Sequence, residues 1–331
     1  MMPIASLVLL AATSLAAAAT PDLPVQTPDL YAVAGERVAI APGRALNLRC
    51  TGAGPQTVLL EAGGNADSST WFRVQPLLSA QARVCAYDRA GYGFSDEGPL
   101  PRDLDASVAD LATLVAAAQL RTPLVLVGHS LGSNIVRRYA QQYPQQVGAL
   151  VLLDPPEQGA DDLLPAAWKA QGEAAIAQRN ALLEACLQAA GNGTLDQAGG
   201  PLASCLRAPP AWQSAPVAAA ARAAKLRPGY WRTLRSELDA NVAIFAPPVP
   251  ADESHGDLPV VVLAAPAGNG GGVPDDVAAA LQEARERTRA RLVASSRQGR
   301  RVDVPGTTHD IQLDAPQAVA QAVSEVLAGR P

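Results

Sequence analysis

The sequence predicts an α/β protein with a mostly parallel sheet flanked by helices and an inserted helical cap. Strand-like and helical segments alternate from Thr57 to about Pro155, and the alternation resumes after His255. Such alternation is typical of a parallel sheet covered by helices on both faces. Residues 156–255 contain helical patterns and no convincing strand. The 331 residues, 48% of them hydrophobic, are ample for a large buried core.

The first part of the predicted core comprises residues 22–155. Two short strand-like segments, RVAI and ALNLRC, come first, followed by the apolar strand TVLLEAGG. A predicted helix, STWFRVQPLLSAQ, leads to the strand RVCAYD, a Gly-rich loop and the amphipathic helix RDLDASVADLATLVAAAQL. The strands LVLV and VGALVLLDPP follow, on either side of a further helix. LVLV does not alternate, which indicates a strand buried on both faces.

The alternation stops at Pro155 and Pro156, where the predicted cap, residues 156–255, begins. Its helical patterns are separated by Pro-rich breaks. The second part of the core comprises residues 256–331. In it, LPVVVLAAP and GRRVDV predict strands, and PDDVAAALQEARERTRARLVASS and PQAVAQAVSEVLAG predict helices.

Charge and cysteine content restrict the classes of function. The net charge is −5 and there is no basic block, so nucleic acid is not an expected partner. No cysteine belongs to a close-spaced pair of the kind that zinc sites use, so no metal site is expected. An even number of cysteines in an exported chain predicts disulfides, although spacing alone leaves three pairings open. The four are Cys50, Cys85, Cys186 and Cys205.

The N-terminus has the pattern of a secretory signal peptide. The apolar run Ile4–Leu15 is followed by small residues, which predicts a signal peptide over residues 1–19 with cleavage near Ala18 or Ala19. No Lys or Arg precedes the run, so an uncleaved N-terminal helix is the alternative. The run is short for a membrane span, and no stable span is expected. We therefore expect an exported protein, either periplasmic or secreted.

One turn carries the first indication of chemistry. The strand LVLV leads into Gly128-His129-Ser130-Leu131-Gly132 and then directly into a helix. Small residues two positions before and after the serine let strand and helix approach closely, and the serine takes a strained turn that exposes its hydroxyl. A serine is a poor nucleophile by itself and needs a base, which in turn needs an orienting carboxylate.

Five segments, in this order, resemble the motifs of an α/β-hydrolase with a helical cap: LLEAGG, YDRAGYGFSD, GHSLGS, VLLDPP and GTTHDIQLDAP. The resemblance extends over nearly all of the mature sequence. It implies the α/β-hydrolase fold and a serine hydrolase that acts on a small-molecule substrate without a metal or an organic cofactor. Asp88 and Arg89, in the second segment, are expected to be an ordering pair below the site.

His309 is the expected general base. It follows the last predicted strand, where the family has its histidine, and it keeps the chain order Ser…Asp…His. His129 lies inside the turn, at the family's variable position, and its ring is expected to point away from the reacting face of Ser130. His255 precedes a strand, at the wrong edge of the sheet for catalysis.

The sequence offers two positions for the carboxylate. The family usually has it after the strand VVVLAAP, but here the first acids beyond that strand are Asp275 and Asp276. These two have the positions of N-terminal helix residues that cap amides and face the helix dipole. Asp154, at the end of VLLD, is the alternative that some family members use. Asp154 is favoured because a short, rigid contact to the imidazole is needed, with Asp275 or Asp276 as alternatives.

The resemblance also implies an oxyanion hole and a disulfide pairing. The oxyanion donors are expected to be the amides of Leu131 and Gly63; Glu61-Ala62 stands where the family often has His-Gly. In the family's sheet the second strand lies beside the fourth. The implied disulfides are therefore Cys50–Cys85 in the core and Cys186–Cys205 in the cap.

The cap contains a concentration of aromatic residues in a chain in which only 4% are aromatic. They form either the cap's own small core or an apolar roof over an acyl or alcohol group. They are Trp168, Trp212, Tyr230, Trp231 and Phe245.

The expected reaction is hydrolysis of an ester or amide through an acyl-enzyme, with a carboxylesterase as the leading interpretation. An aminopeptidase of the proline-releasing type is the second, and it would favour an acidic cap residue that holds the substrate amine. Glu173, Glu184 and Glu237 are the candidates for that residue. A non-catalytic binding protein with the same fold is the hypothesis from another class.

Overall fold

The computed structural model describes residues 23–197, 199–266 and 272–329. The predicted signal peptide, residues 1–19, lies outside these ranges, as do residues 267–271 of the loop after the strand VVVLA. No helix within the described ranges has the length and apolar character needed to cross a bilayer.

An eight-stranded sheet forms the centre of the fold, in the order β1-β2-β4-β3-β5-β6-β7-β8. β2 runs antiparallel to both its neighbours, and all other neighbouring strands are parallel. The predicted α/β class with a mostly parallel sheet is therefore confirmed. The strands are β1 Glu36–Ala41, β2 Arg44–Thr51, β3 Thr57–Glu61, β4 Arg83–Tyr87, β5 Leu124–His129, β6 Val147–Leu153, β7 Val260–Ala264 and β8 Gly299–Asp303.

Helices cover both faces of the sheet. They are α1 Gln75–Leu78, α2 Leu104–Ala117, α3 Leu131–Gln142, α4 Ala166–Gly191, α5 Ala215–Lys225, α6 Pro228–Phe245, α7 Asp275–Ala294, α8 Ile311–Asp314 and α9 Pro316–Leu327. Short 3₁₀ helices occupy Asp29–Ala32, Ser68–Trp71, Pro144–Gln146, Ala160–Asp162, Leu195–Gln197 and Gly200–Leu206.

The centre of the sheet is buried on both sides, which explains the non-alternating strand LVLV. Leu124 and Leu126 of β5 belong to the apolar core that includes Ile135 of α3. Val125 and Val127 point to the opposite face and belong to the core that includes the apolar side of α9. Successive side chains of a strand point to opposite faces, so both sets have to be apolar.

The helices α4, α5 and α6 lie between β6 and β7, and we call them the helical insertion. α4 and α6 enclose a separate small core that includes Leu183, Trp231 and Leu234. Tyr92, from the loop after β4, joins this core and connects the insertion to the sheet domain.

A buried ion pair fixes α3, the helix that follows the Ser130 turn. Arg137 of α3 donates to Glu253 at 2.6 Å, and His255 Nε2 lies 3.2 Å from the same carboxylate. Burial opposes ionisation of Glu253, but the hydrogen bonds with His255 and Arg137 outweigh it and lower its pKa to about 2. The charged carboxylate therefore attaches α3 to the segment before β7.

Two disulfides connect the four cysteines. Cys50 of β2 and Cys85 of β4 are directly opposite in the antiparallel pair and are bonded to each other. Cys186 of α4 is bonded to Cys205, with 19 residues of sequence separation. One disulfide thus lies inside the sheet domain and the other inside the helical insertion.

Non-reducing peptide mapping of protein made in an oxidising compartment should yield Cys50–Cys85 and Cys186–Cys205 peptides. Loss of the second disulfide should lower the free energy of unfolding by roughly 3 kcal/mol, because the bond closes a short loop in the unfolded chain. A Cys50–Cys186 or Cys85–Cys205 peptide would contradict this pairing, and a Cys186→Ala, Cys205→Ala variant measures the stability change.

Candidate active site

Ser130 occupies a strained turn between β5 and α3. Its φ and ψ are 51° and −123°, and its amide donates to the Leu153 carbonyl at 3.0 Å. A Cβ at Gly128 would lie 2.5 Å from the Gly132 carbonyl oxygen, and one at Gly132 would lie 2.5 Å from the Glu61 carbonyl oxygen. Such contacts are sterically forbidden, so both positions require glycine. The close approach of β3, β5 and α3 therefore holds the serine in a conformation that L-residues seldom adopt.

The structure brings His309 and Asp154 together. His309 follows β8, and its Nδ1 lies 2.7 Å from Oδ2 of Asp154, which directly follows β6. The other oxygen, Oδ1, accepts from Arg289 Nη2 at 2.7 Å and from the Ala265 amide at 3.3 Å. Burial opposes ionisation of Asp154, but hydrogen bonds with His309 and Arg289 outweigh it and hold the pKa of the carboxyl below its usual value. Asp154 is thus an anion that faces the imidazole.

The two alternative acids have other surroundings. Asp275 and Asp276 form the first turn of α7, and Oδ1 of Asp276 accepts from the amide of Val277 at 3.0 Å. Among the described residues, the carboxylate that bonds to His309 is that of Asp154. Arg289 lies 135 residues from Asp154 along the chain, and no feature of the sequence indicated it.

His129 lies beside His309. The two rings are 4.7 Å apart, and His129 Nε2 donates to the His309 carbonyl oxygen at 2.9 Å. Its Nδ1 lies 3.4 Å from Nε2 of the Gln312 side chain. Burial, together with the nearby His309, lowers the pKa of His129 to about 4. A neutral, buried His129 therefore supports the backbone of the His309 loop.

The loop after β3, residues 62–65, passes directly beside the serine. A Cβ at Gly63 would lie 3.4 Å from the Cβ of Ser130 and 2.9 Å from Nδ1 of His129. Leu131 is the first residue of α3, where backbone amides have no partner within the helix. Both expected oxyanion donors thus adjoin Ser130.

Asp88 and Arg89 do not pair with each other. Arg89 forms ion pairs with Glu61 at 2.8 Å and with Glu237 of α6 at 3.0 Å. Asp88 instead accepts from Asn47 and from backbone amides of two loops. Each of the two neighbouring residues therefore orders a different part of the structure.

A cavity of about 1130 Å³ opens over Ser130, Asp154 and His309. Its apolar wall consists of Leu164, Trp168, Ile176, Val242, Phe245 and Leu281. Charged side chains also line it: Glu157 and Arg285, which pair at 3.3 Å, with Asp161, Lys169 and Glu173. The cavity can receive a partly apolar small molecule that carries a polar group.

The aromatic residues of the predicted cap are divided between two roles. Trp168 and Phe245 line the cavity above Ser130. Tyr230 and Trp231 belong to the core of the insertion, and Trp212 stacks on Phe72 at 6.0 Å.

Within the described parts of the chain, no group of three or more His, Cys, Asp or Glu side chains is placed to hold a metal ion.

The similarity to curated relatives extends over only part of each relative's sequence. The uncharacterized protein YqjL of Bacillus subtilis is 33% identical over 99 residues, which are 30% of this chain and 39% of YqjL. The 2-hydroxy-6-oxo-2,4-heptadienoate hydrolase of Pseudomonas putida is 33% identical over 120 residues, which are 35% of this chain and 43% of that enzyme. The chain thus spans less than half the length of these relatives.

Whole-fold similarity extends further. A thermophilic esterase from Thermogutta terrifontis aligns over 88% of this chain and 97% of its own, with a TM-score of 0.57 and 21% identity. At that identity the likeness concerns the fold. A family model for the alpha/beta hydrolase fold matches residues 56–316, which include strands β3 to β8 and the helical insertion. The chain therefore belongs to the α/β-hydrolase fold family.

Proposed function

We propose that this protein is an exported serine hydrolase that cleaves an ester or amide bond of a small, partly apolar substrate through an acyl-enzyme. One observation carries the proposal: Ser130, in its strained turn, shares a cavity with His309, whose ring is bonded to a buried, ionised Asp154. Nucleophile, base and orienting acid are the three roles of a hydrolytic triad.

The reaction proceeds in two halves. Ser130 Oγ attacks the carbonyl carbon while His309 Nε2 accepts its proton, and the proton then passes to the leaving group as the acyl-enzyme forms. Water attacks the acyl-enzyme in the second half, with His309 again taking and returning a proton. The amides of Leu131 and Gly63 hold the oxyanion of each tetrahedral intermediate.

Asp154 sets the tautomer of His309. Because its oxygen accepts the Nδ1–H bond, the lone pair of the neutral ring is at Nε2, where the serine proton has to go. The lowered pKa of Asp154 keeps it anionic beside the imidazolium that forms. Arg289 fixes the second oxygen and so limits rotation of the carboxylate.

An ester is the favoured substrate, which makes a carboxylesterase the leading assignment. The apolar wall beside Ser130, with Trp168 and Phe245, fits an acyl or alcohol group. The esterase from Thermogutta terrifontis shares the fold, which is compatible with this assignment. We also propose residues 156–255, which contain the helical insertion, as a cap that determines specificity.

Export accords with two features. The disulfides indicate an oxidising compartment, and the N-terminal sequence has a signal-peptide pattern.

Ser130→Ala should abolish covalent labelling by a fluorophosphonate and hydrolysis of a chromogenic ester panel, since no other group replaces the attacking oxygen. Its Tm should stay close to that of the unaltered protein, which excludes misfolding as the cause. Labelling that persists on another serine, located by peptide mapping, would refute the assignment. An unaltered protein that neither labels nor hydrolyses would favour a non-catalytic binding protein.

Asp154→Asn should lower kcat by about 10³- to 10⁴-fold, because an amide that donates to Nδ1 stabilises the wrong tautomer. Asp275→Asn and Asp276→Asn are the matched controls and should be mild. The kcat values of the three variants are measured side by side on one ester. If Asp275→Asn or Asp276→Asn lost most of its activity while Asp154→Asn stayed active, the acid that orients His309 would be on α7.

One observation favours an aminopeptidase as the second candidate. Of the three acids considered in the insertion, Glu184 and Glu237 are paired with arginines, whereas Glu173 lines the cavity over Ser130. A carboxylate there can hold a substrate ammonium group.

For this alternative, Glu173→Gln should lower kcat/KM for a prolyl p-nitroanilide by about 10-fold or more and leave a neutral ester unaffected, since only the first substrate carries an amine. Glu184→Gln serves as the control. Equal effects on both substrates, or no anilide hydrolysis by the unaltered protein, would exclude the peptidase assignment.

A further inference from the structure

Arg89 determines how the peptide planes of the loop beside Ser130 are turned. Its guanidinium donates to the Ala62 and Gly63 carbonyl oxygens, at 2.7 Å each. In a trans peptide, the C=O and N–H of one plane point in opposite directions. With both carbonyls directed at Arg89, the amides of Gly63 and Gly64 face away from it. Gly63 adjoins Ser130, and an oxyanion formed there needs an amide that is not turned toward Arg89.

Glu237, from α6 of the insertion, holds Arg89 and the end of the same loop together. Its Oε2 accepts from Arg89 Nε and Nη2 at 3.2 and 3.0 Å. Its Oε1 accepts from the Asn65 amide and from the Tyr92 hydroxyl, at 2.9 Å each. One buried carboxylate thus receives four donors, two from Arg89 and two from loops of the sheet domain.

We propose that Glu237 is a positioning residue for the oxyanion hole, through which the helical insertion holds residues 62–65 in their productive shape. The proposal rests on the proposed function, because only a hydrolase of this kind uses those amides. Glu237 touches Arg89 and Asn65 and acts through them. It therefore supports the reacting groups from outside the cavity.

The charge balance makes a conservative test available. Glu61 provides a second buried carboxyl group beside Arg89, with Oε1 2.8 Å from the guanidinium. Burial raises the pKa of Glu61, and Arg89 and the hydrogen bond from the Tyr87 hydroxyl oppose that rise. Burial opposes the charge of Arg89, but Glu237 and Glu61 outweigh it and raise the pKa of the guanidinium. In Glu237→Gln, the guanidinium of Arg89 keeps its contact with Glu61 and its hydrogen bonds to the two carbonyl oxygens, so it is not left without partners inside the protein.

A glutamine cannot accept all four of the donors that Glu237 accepts. Its single amide oxygen can face either Arg89 or the Asn65 amide, while its NH₂ group has to face the other donor set. Glu237→Gln therefore preserves volume and folding but releases one side of the loop.

The matched control lies elsewhere in the same insertion. Glu184 of α4 also pairs with an arginine, Arg235, but both side chains are about two-fifths exposed and neither contacts residues 62–65. Glu184→Gln makes the same chemical change without touching the loop.

The experiment measures steady-state kinetics on one ester, Tm, and hydrogen–deuterium exchange of the peptide that contains residues 62–65. Glu237→Gln should lower kcat by about 10- to 100-fold with KM within about twofold, since loosened donors lose part of an oxyanion contribution of about 10²–10³. Exchange should accelerate in that peptide alone. Glu184→Gln should change none of these quantities.

Arg89→Lys provides the second variant. The ammonium of lysine keeps the charge but lacks the planar fork of donors with which the guanidinium bonds both carbonyls and Glu237. The kcat of Arg89→Lys should therefore fall, as that of Glu237→Gln does. Wild-type kcat and wild-type loop exchange in Glu237→Gln would overturn the proposal. So would faster exchange throughout the insertion with a lowered Tm, since that marks a merely structural role. If the unaltered protein is not labelled by a fluorophosphonate, the proposed function fails, and the exchange data still decide whether Glu237 orders the loop.

Discussion

The site depends on one steric constraint, the close approach of three backbones around Ser130. The glycines at 128 and 132 leave no room for a side chain, and the Ser130 amide is held by the end of β6. With the serine fixed at the carboxyl edge of the sheet, its partners have to come from segments that follow other strands at that same edge. Asp154 follows β6 and His309 follows β8, and these are the segments that reach that edge.

The sequence was most informative where a local pattern has only one structural solution. β5 and the turn after it were predictable because an unbroken apolar run, two glycines and a helix permit few arrangements. The assignment of the carboxylate to Asp154 needed more than a local pattern, because the sequence offered a second position at Asp275 and Asp276. Distance distinguishes them, because a carboxylate at a strand end reaches the imidazole directly, whereas Asp275 and Asp276 begin a helix.

Contacts between distant polar residues could not be predicted. Arg289 and Asp154 are 135 residues apart, and Glu237 and Arg89 are 148 apart. Such pairs form only after the sheet and the insertion have packed, and they leave no periodic trace in the chain. Asp88 and Arg89 were expected to act as a pair, but each of them bonds instead to residues that are distant in sequence. Neighbours in sequence can face different elements.

Arginine supplies most of this long-range order. Lysine occurs only at positions 169 and 225, whereas Arg89, Arg137 and Arg289 are all buried and each bonds a carboxylate. A guanidinium presents several donors in a rigid plane and can satisfy a carboxylate and carbonyls at once. Each of these arginines connects segments that are remote in sequence, and together they brace α3, Asp154 and the loop beside Ser130.

The attachment of the helical insertion has a consequence for recombining members of this fold. The disulfide inside the insertion and its own apolar core make it resemble an exchangeable module. Glu237 shows that the insertion is not independent of the sheet domain, because one of the two carboxyl groups that contact Arg89 belongs to α6. A chimaera with a foreign insertion would have to carry an acidic residue at the equivalent point of its helix, whatever substrate its walls were chosen for.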